Sequence, residues 1–308
     1  MKETLKNISP FNNRADMKSA LFIIKKTLAF WFCYIAGLFI AEGIAILLHF
    51  ALGKNMLMGD VFDDQTITLI IYYGYVIVIS VVLLYWKLIE KKSLSEIGLT
   101  NHIRSYFIGV LIAILMLLII IGLITLTGAI EYHGIFEKKN ILLITLYGGG
   151  FIMQGTMEEL LCRGYLFHTL KNKVSMPIAI AISTIMFIVP HWSSLFAGEM
   201  IYGVIGIINL ILISLIFSLL TLCSQNIWAA CGLHSFWNFI LSGIMGLNLS
   251  GNDENITAIF NMKSVGNNIW NGSIYGIEAS VITVFILGFF SIILWVYWKK
   301  ISNNNKKD

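Results

Sequence analysis

Charge is scarce in this sequence. Of its 308 residues only 12% are Asp, Glu, Lys or Arg, while 57% are hydrophobic and the mean hydropathy is +0.81. A soluble domain carries about 25% charged residues, so this balance excludes an ordinary soluble domain and predicts a polytopic membrane protein. Proline occurs only at positions 10, 177 and 190, leaving long helical runs uninterrupted. The four cysteines, Cys33, Cys162, Cys223 and Cys231, lie in or beside apolar runs and form no Cys-x-x-Cys pair, which reads as free buried thiols rather than a disulfide framework. The chain has no His-Glu-x-x-His, no internal repeat of the kind that inverted-repeat transporters carry, and no separate soluble domain. It does not open on a short apolar core followed by a small-residue cleavage site, so the first long apolar run should be retained. The net charge of +4 is no signature of a nucleic-acid partner; its distribution among loops is topological information.

What the sequence has instead is apolar runs, at about 27–48, 67–86, 105–127, 141–161, 177–190, 201–222, 227–246 and 276–298. A hydrocarbon core needs about 20 residues of helix. Six runs meet that well; 177–190 is short, and 141–161 is interrupted by charge at its end. The fold class expected is all-α, a polytopic membrane bundle of about eight transmembrane helices. With the N-terminus inside, only Lys54, Lys138, Lys139 and Lys263 of the 21 Lys and Arg residues fall in outer loops. The others fall in the tail 1–26, in 87–104, in 163–173 and after Trp298, a bias that predicts cytoplasmic N- and C-termini. The outer loops hold acids: Asp60, Asp63, Asp64, Glu131, Asp253 and Glu254. The organisation expected is a cytoplasmic tail over 1–26, one transmembrane domain over 27–298 and a cytoplasmic tail over 299–308. The sequon Asn255–Ile256–Thr257 lies in the Asn-, Gly- and Ser-rich stretch 247–275, read here as a polar loop of a bacterial protein.

Polar residues inside the spans carry the chemistry, because a charge at bilayer depth costs roughly 2.5–3.5 kcal/mol. Glu42 and Asn209 stand alone and read as packing residues. Gly148, Gly149, Gly150 and Gly155 let helix backbones approach closely. Three clusters differ. In Glu158–Glu159–x–x–x–Arg163, Glu159 and Arg163 stand at i and i+4, the favourable acid-before-base order. Glu158 points elsewhere without a local partner, and a carboxylate so placed suits general acid–base work. Phe187–x–x–x–His191 ends the short fifth run beside Pro190. His234 and Asn238 share one helix face at i and i+4. Together the clusters supply a carboxylate, two imidazoles, an amide and an acid–arginine pair, enough to activate water and receive an oxyanion.

In that order on successive helices, the three motifs resemble the CPBP (Abi) family of intramembrane proteases. This group includes CAAX prenyl endopeptidases and bacterial proteins tied to bacteriocin processing and self-immunity. The resemblance covers roughly 143–245 and does not extend specifically to residues 1–85. It implies an intramembrane endopeptidase in which Glu158 activates the attacking water and His191 assists. His234 and Asn238 would receive the oxyanion, and Glu159 and Arg163 would position Glu158. It implies a peptide or lipidated-peptide partner in a lipid bilayer, with a bacteriocin leader, a pheromone or a CAAX-like tail as substrate. The membrane would be the bacterial plasma membrane, and the site would open to the cytoplasm. Two cofactor states stay open: zinc held by Glu158, His191 and His234 with a free fourth position, or no metal. A second function also stays open on the same fold, immunity conferred by binding a partner without proteolysis. His191 and Glu158 reach one level only if the fourth helix continues past Arg163 to about Leu170 and the fifth bends or tilts.

Overall fold

The structure, a computed structural model, describes residues 8–55, 58–137, 139–251 and 258–304. The sequon at Asn255, the acids Asp253 and Glu254, and Lys2, Lys6, Lys138, Lys306 and Lys307 lie outside the described residues.

Among the described residues the apolar runs form eight long helices: α1 (Ser19–Ala51), α2 (Asp64–Tyr85), α3 (Arg104–Leu126), α4 (Ile141–Glu159), α5 (Met176–Ile188), α6 (Met200–Ser224), α7 (Trp228–Phe239) and α8 (Val281–Asn304). Six are long and apolar enough to cross a membrane, with α2 continued to Glu90 and α5 to Leu195. The other two, α4 and α7, hold most of the polar motif residues. Each is prolonged by wider π-type turns, over Leu160–Phe167 and Ile240–Met245, and α4 then ends in a short helix, His168–Leu170. The fourth helix thus runs past Arg163 to Leu170, as the depth of the motifs requires. α1 begins at Ser19, inside the stretch 1–26 read from sequence as tail, and α8 extends to Asn304, inside 299–308.

Helix starts follow local chemistry. The side chains of Asp63 and Asn140 accept from the backbone N–H groups of Thr66 and Leu143, at 3.1 and 3.0 Å, and so cap α2 and α4. Pro177 sits in the first turn of α5, where its missing N–H costs nothing. Pro190 tightens the far end of that helix into a 3₁₀ turn over Val189–His191, after which a helical turn resumes at Trp192–Leu195.

The loops sort to two faces. On one, Trp228 Nε1 donates to the Thr100 carbonyl at 2.8 Å and Ile227 N–H to the Gly98 carbonyl at 3.1 Å. The N-terminal segment folds onto this face: Lys25 Nζ donates to Asn12 Oδ1 and to the Arg14 carbonyl, both at 2.7 Å, and the Tyr85 hydroxyl donates to the Pro10 carbonyl. Lys87, Lys91, Lys92, Arg104, Lys171 and Lys173 lie in or beside its loops; it is called the basic face below. On the opposite, acidic face, β1 (Ile130–Ile135) and β2 (Phe260–Ser264) pair antiparallel, with Ile130 opposite Ser264. Among the described residues this ribbon is the one β-sheet in an otherwise helical fold; its strands lie far apart in sequence, and neither stands out there. Arg163, counted from sequence with a basic loop, is instead fully buried in the bundle. Its removal from the count leaves the charge bias in place.

Glycine sets how closely the central helices approach. A Cβ on Gly109 of α3 would lie 1.9 Å from the Ala229 carbonyl oxygen, and one on Gly232 of α7 would lie 2.0 Å from the Tyr106 carbonyl oxygen. The two backbones therefore touch, as small residues permit in membrane bundles. α7 also packs on α4 and α6, which puts it at the centre of the molecule.

Candidate active site

The site is assembled on α4, α5 and α7. At Gly155 of α4, a Cβ would come within 2.6 Å of Ser235 Oγ and 2.8 Å of Ser235 N. This close approach brings one turn of α4, with Glu158 and Glu159, against His234.

Glu159 and Arg163 are both fully buried and pair at 3.0 Å, Nη1 to Oε1. The guanidinium lies between two rings, 4.7 Å from the Phe187 centroid and 5.0 Å from the Phe217 centroid. Its Nη2 donates to the Ser214 hydroxyl at 2.6 Å and to the Ser214 carbonyl at 3.1 Å, and Ser214 Oγ is 2.7 Å from Thr184 Oγ1. A buried charge pair is tolerable only when it is hydrogen-bonded in this way. The sequence identifies the pair by its spacing; nothing in it singles out Ser214 or Thr184, which come from other helices.

Glu159 makes a second contact. His234 Nδ1 lies 3.0 Å from the same Oε1. A carboxylate only accepts, so Nδ1 carries the hydrogen and Nε2 is left to face elsewhere. Nε2 lies 4.0 Å from Glu158 Oε2. The His234 ring is stacked on Phe217, at 5.0 Å between centroids and an interplanar angle of 15°, so the imidazole is fixed by a hydrogen bond and by packing. From the motif spacing, Glu159 and Arg163 were expected to position Glu158. In the structure the pair orients His234 instead, because Glu159 and Glu158, adjacent on the helix, point in different directions.

His191 is held in the same manner: its Nδ1 lies 2.9 Å from the Phe187 carbonyl, leaving Nε2 free of the backbone. Asn238 Nδ2 donates to Gln154 Oε1 at 3.3 Å, and Gln154 Nε2 donates to Glu158 Oε1 at 3.4 Å. Gln154 is thus a relay between Asn238 and Glu158 that the motifs omit. Its signal was present, since it stands four residues before Glu158. Asn209 bonds the Glu278 and Ser280 carbonyls through Nδ2, at 2.9 and 3.1 Å, the packing role that its isolation suggests.

Two cavities meet at this cluster. One, of about 170 Å³, is lined by Glu158, His191, Cys162, Tyr34 and Tyr75; the other, of about 290 Å³, by His191, His234, Asn238, Gln154 and Glu278. Phe187, Pro190, His191 and Tyr75 line both. The structure therefore brings all four motif residues with proposed catalytic roles to one place, with His191 on the shared wall. The larger cavity extends to Ser193, Ser194, Leu249 and Ser250, which belong to the acidic face.

Zinc would require three protein ligands, each about 2.0–2.2 Å from one point. Among the described residues no group of three or more His, Cys, Asp or Glu side chains is placed to hold a metal ion. His234 Nε2 and Glu158 Oε2 stand 4.0 Å apart, and among the described residues no third donor side chain completes a set with them. The donor set does not fit zinc, and no step below passes through a metal.

An all-α membrane bundle with an acid–imidazole–amide cluster on facing helices defines the class, a membrane protein with a hydrolase-like polar site. Residues 138–240, about a third of the chain, match the family model described as Type II CAAX prenyl endopeptidase Rce1-like, a type of the CPBP family. The matched stretch holds Glu158, Glu159, Arg163, His191, His234 and Asn238, and at the family level it implies protease activity. No curated protein and no solved structure matches the chain.

Proposed function

We propose that this protein is an intramembrane endopeptidase of the bacterial plasma membrane that hydrolyses a peptide bond in a membrane-associated peptide or lipidated protein. Bacteriocin leaders, pheromone precursors and CAAX-like tails are the candidate substrates. The observation that carries the reading is the placing of the Glu158 carboxylate 4.0 Å from His234 Nε2, with Nδ1 of that ring tied to Glu159. The gap is too long for a direct hydrogen bond and suits one bridging water, about 2.8 Å from each group.

Glu158 removes a proton from that water, and the oxygen attacks the scissile carbonyl carbon. The carbonyl oxygen becomes an oxyanion, which accepts from the second Nδ2 hydrogen of Asn238 and from Nε2–H of His234 in its imidazolium form. Such preorganised donors contribute roughly 10²–10³ in rate each. Collapse of the tetrahedral intermediate breaks the C–N bond, and the proton held by Glu158 passes to the leaving amine. One water is consumed; a carboxylate and an amine are released. His191, on the wall common to both cavities, orients the water.

The test compares wild type with Glu158→Ala and His234→Ala for peptide processing and for any bacteriocin-immunity phenotype. Loss of both activities in both variants supports catalysis. Immunity that survives both substitutions would identify partner binding as the function.

A further inference from the structure

A separate cavity of about 320 Å³ lies between α1 and α2, with apolar walls that include Leu38, Ile67, Ile70 and Ile71. Two polar residues of α1, Glu42 and His49, also line it. They stand at i and i+7 on one helix face, with about 10 Å of rise between them at 1.5 Å per residue. Neither belongs to the stretch 138–240 that matches the family model.

Glu42 reads from the sequence as a packing residue, and the structure gives it nothing to pack with. It is exposed, on a stretch where Phe39, Ile40, Ile44 and Leu47 are exposed too. α1 runs from Lys25 and Lys26 at the basic face to Ala51 at the acidic face, which leaves Glu42 about 14 Å short of the acidic-face end. A lone carboxylate at that depth is costly and calls for a counter-charge. Among the described residues none reaches it: Lys54 is held by Asp60 at 2.7 Å and Lys26 by Glu90 at 2.6 Å.

His49 is 2% exposed, and its ring packs on Phe62 with centroids 4.5 Å apart. Its Nδ1 lies 2.7 Å from the Ala45 carbonyl. A carbonyl only accepts, so Nδ1 carries the hydrogen and Nε2 of the neutral ring is an acceptor. That Nε2 is buried and has no hydrogen-bond partner among the described residues, a condition native interiors seldom leave unanswered. The α1 wall therefore offers two acceptors, one of them charged, at the two ends of an apolar cleft. Tyr75 of α2 lines this cleft and both cavities of the candidate active site, so an occupant abuts that site without entering it.

We infer that the α1–α2 cleft binds a membrane-dissolved apolar amine, its ammonium paired with Glu42 and a second donor, such as a hydroxyl at the far end of its body, hydrogen-bonded to His49 Nε2. An acid of the same shape is repelled by Glu42, and an alcohol without the amine leaves Glu42 unpaired. The inference does not depend on the protease reading.

The experiment titrates the full-length protein in lipid nanodiscs with 8-aminooctan-1-ol by calorimetry, with the signal of empty nanodiscs subtracted. Octan-1-amine, octan-1-ol and 8-hydroxyoctanoate are titrated in the same way. The expected result is binding of 8-aminooctan-1-ol that is weakened at least about 10-fold in Glu42→Gln, the scale of a lost charge-assisted hydrogen bond. Octan-1-amine should bind the wild type more weakly than the amino alcohol, and the two should bind alike in His49→Phe. His49→Leu replaces that variant if it fails to accumulate. Ala45→Leu, which narrows the cleft and leaves both acceptors in place, should also weaken binding. Equal binding by wild type and Glu42→Gln would overturn the inference, as would 8-hydroxyoctanoate binding as tightly as the amine. A dimer that dissociates in Glu42→Gln, seen by light scattering together with no amine binding, would overturn it in favour of a second copy of the chain.

Discussion

His234 donates through Nδ1 to Glu159 at 3.0 Å, so the second glutamate of the motif serves the imidazole rather than its neighbour Glu158. One carboxylate oxygen, Glu159 Oε1, also accepts from Arg163, and a cation and an imidazole are thereby fixed around a single buried acid.

Glu159→Gln should therefore damage stability as well as activity. It leaves the fully buried Arg163 without its counter-charge, and breaking one partner of a buried pair costs roughly 3–5 kcal/mol. Glu158→Gln, at a side chain 18% exposed with only a 3.4 Å contact to Gln154, should change stability by less than about 1 kcal/mol. Thermal unfolding of the two variants in detergent checks the contrast; equal destabilisation would contradict the assignment.

Gln154→Ala removes the bridge from Asn238 to Glu158. Cleavage should fall by about 10–100-fold, the scale expected when a catalytic group is misplaced by about 1 Å, while the melting temperature stays close to wild type. An unchanged rate would show that Asn238 and Glu158 need no relay.

Gly155→Ala puts a methyl group 2.6 Å from Ser235 Oγ and must push α4 away from α7. Overpacking of this kind costs typically 1–3 kcal/mol. Because it separates Glu159 from His234, activity should fall by more than the loss of folded protein explains. Rates measured per folded molecule, set beside Ala substitution at Gly288, where nothing lies within 4 Å of an added Cβ, test this.

Chelation gives a fourth expectation. Since no three ligands converge among the described residues, EDTA or 1,10-phenanthroline should leave cleavage by the purified protein unchanged. Loss of activity on chelation, restored by zinc, would contradict the metal-free reading.

Much of this was legible in the sequence because membrane burial punishes misplaced charge. Apolar run lengths gave the helices, the i, i+4 spacing gave the Glu159–Arg163 pair, and the depth of His191 required the fourth helix to reach Leu170. What was not legible depends on contacts between distant segments. Ser214 looks like any helix serine until Arg163 is placed beside it. Glu159 and Glu158 are equal candidates for His234 until the turn of α4 at Gly155 is known. The close packing of Tyr165, Phe167 and Leu170 is another such contact, since as residue types they could equally have lined a channel.

The central claim is that Glu158 activates a water for peptide hydrolysis. The most direct measurement is cleavage of a leader peptide by the purified full-length protein in lipid nanodiscs, run in ¹⁸O-labelled water and read by mass spectrometry, for wild type and Glu158→Gln. The account predicts one ¹⁸O in the new C-terminal carboxylate for wild type, and a rate reduced by at least about 10²-fold in the variant. A Glu158→Gln protein that cleaves at the wild-type rate would contradict it.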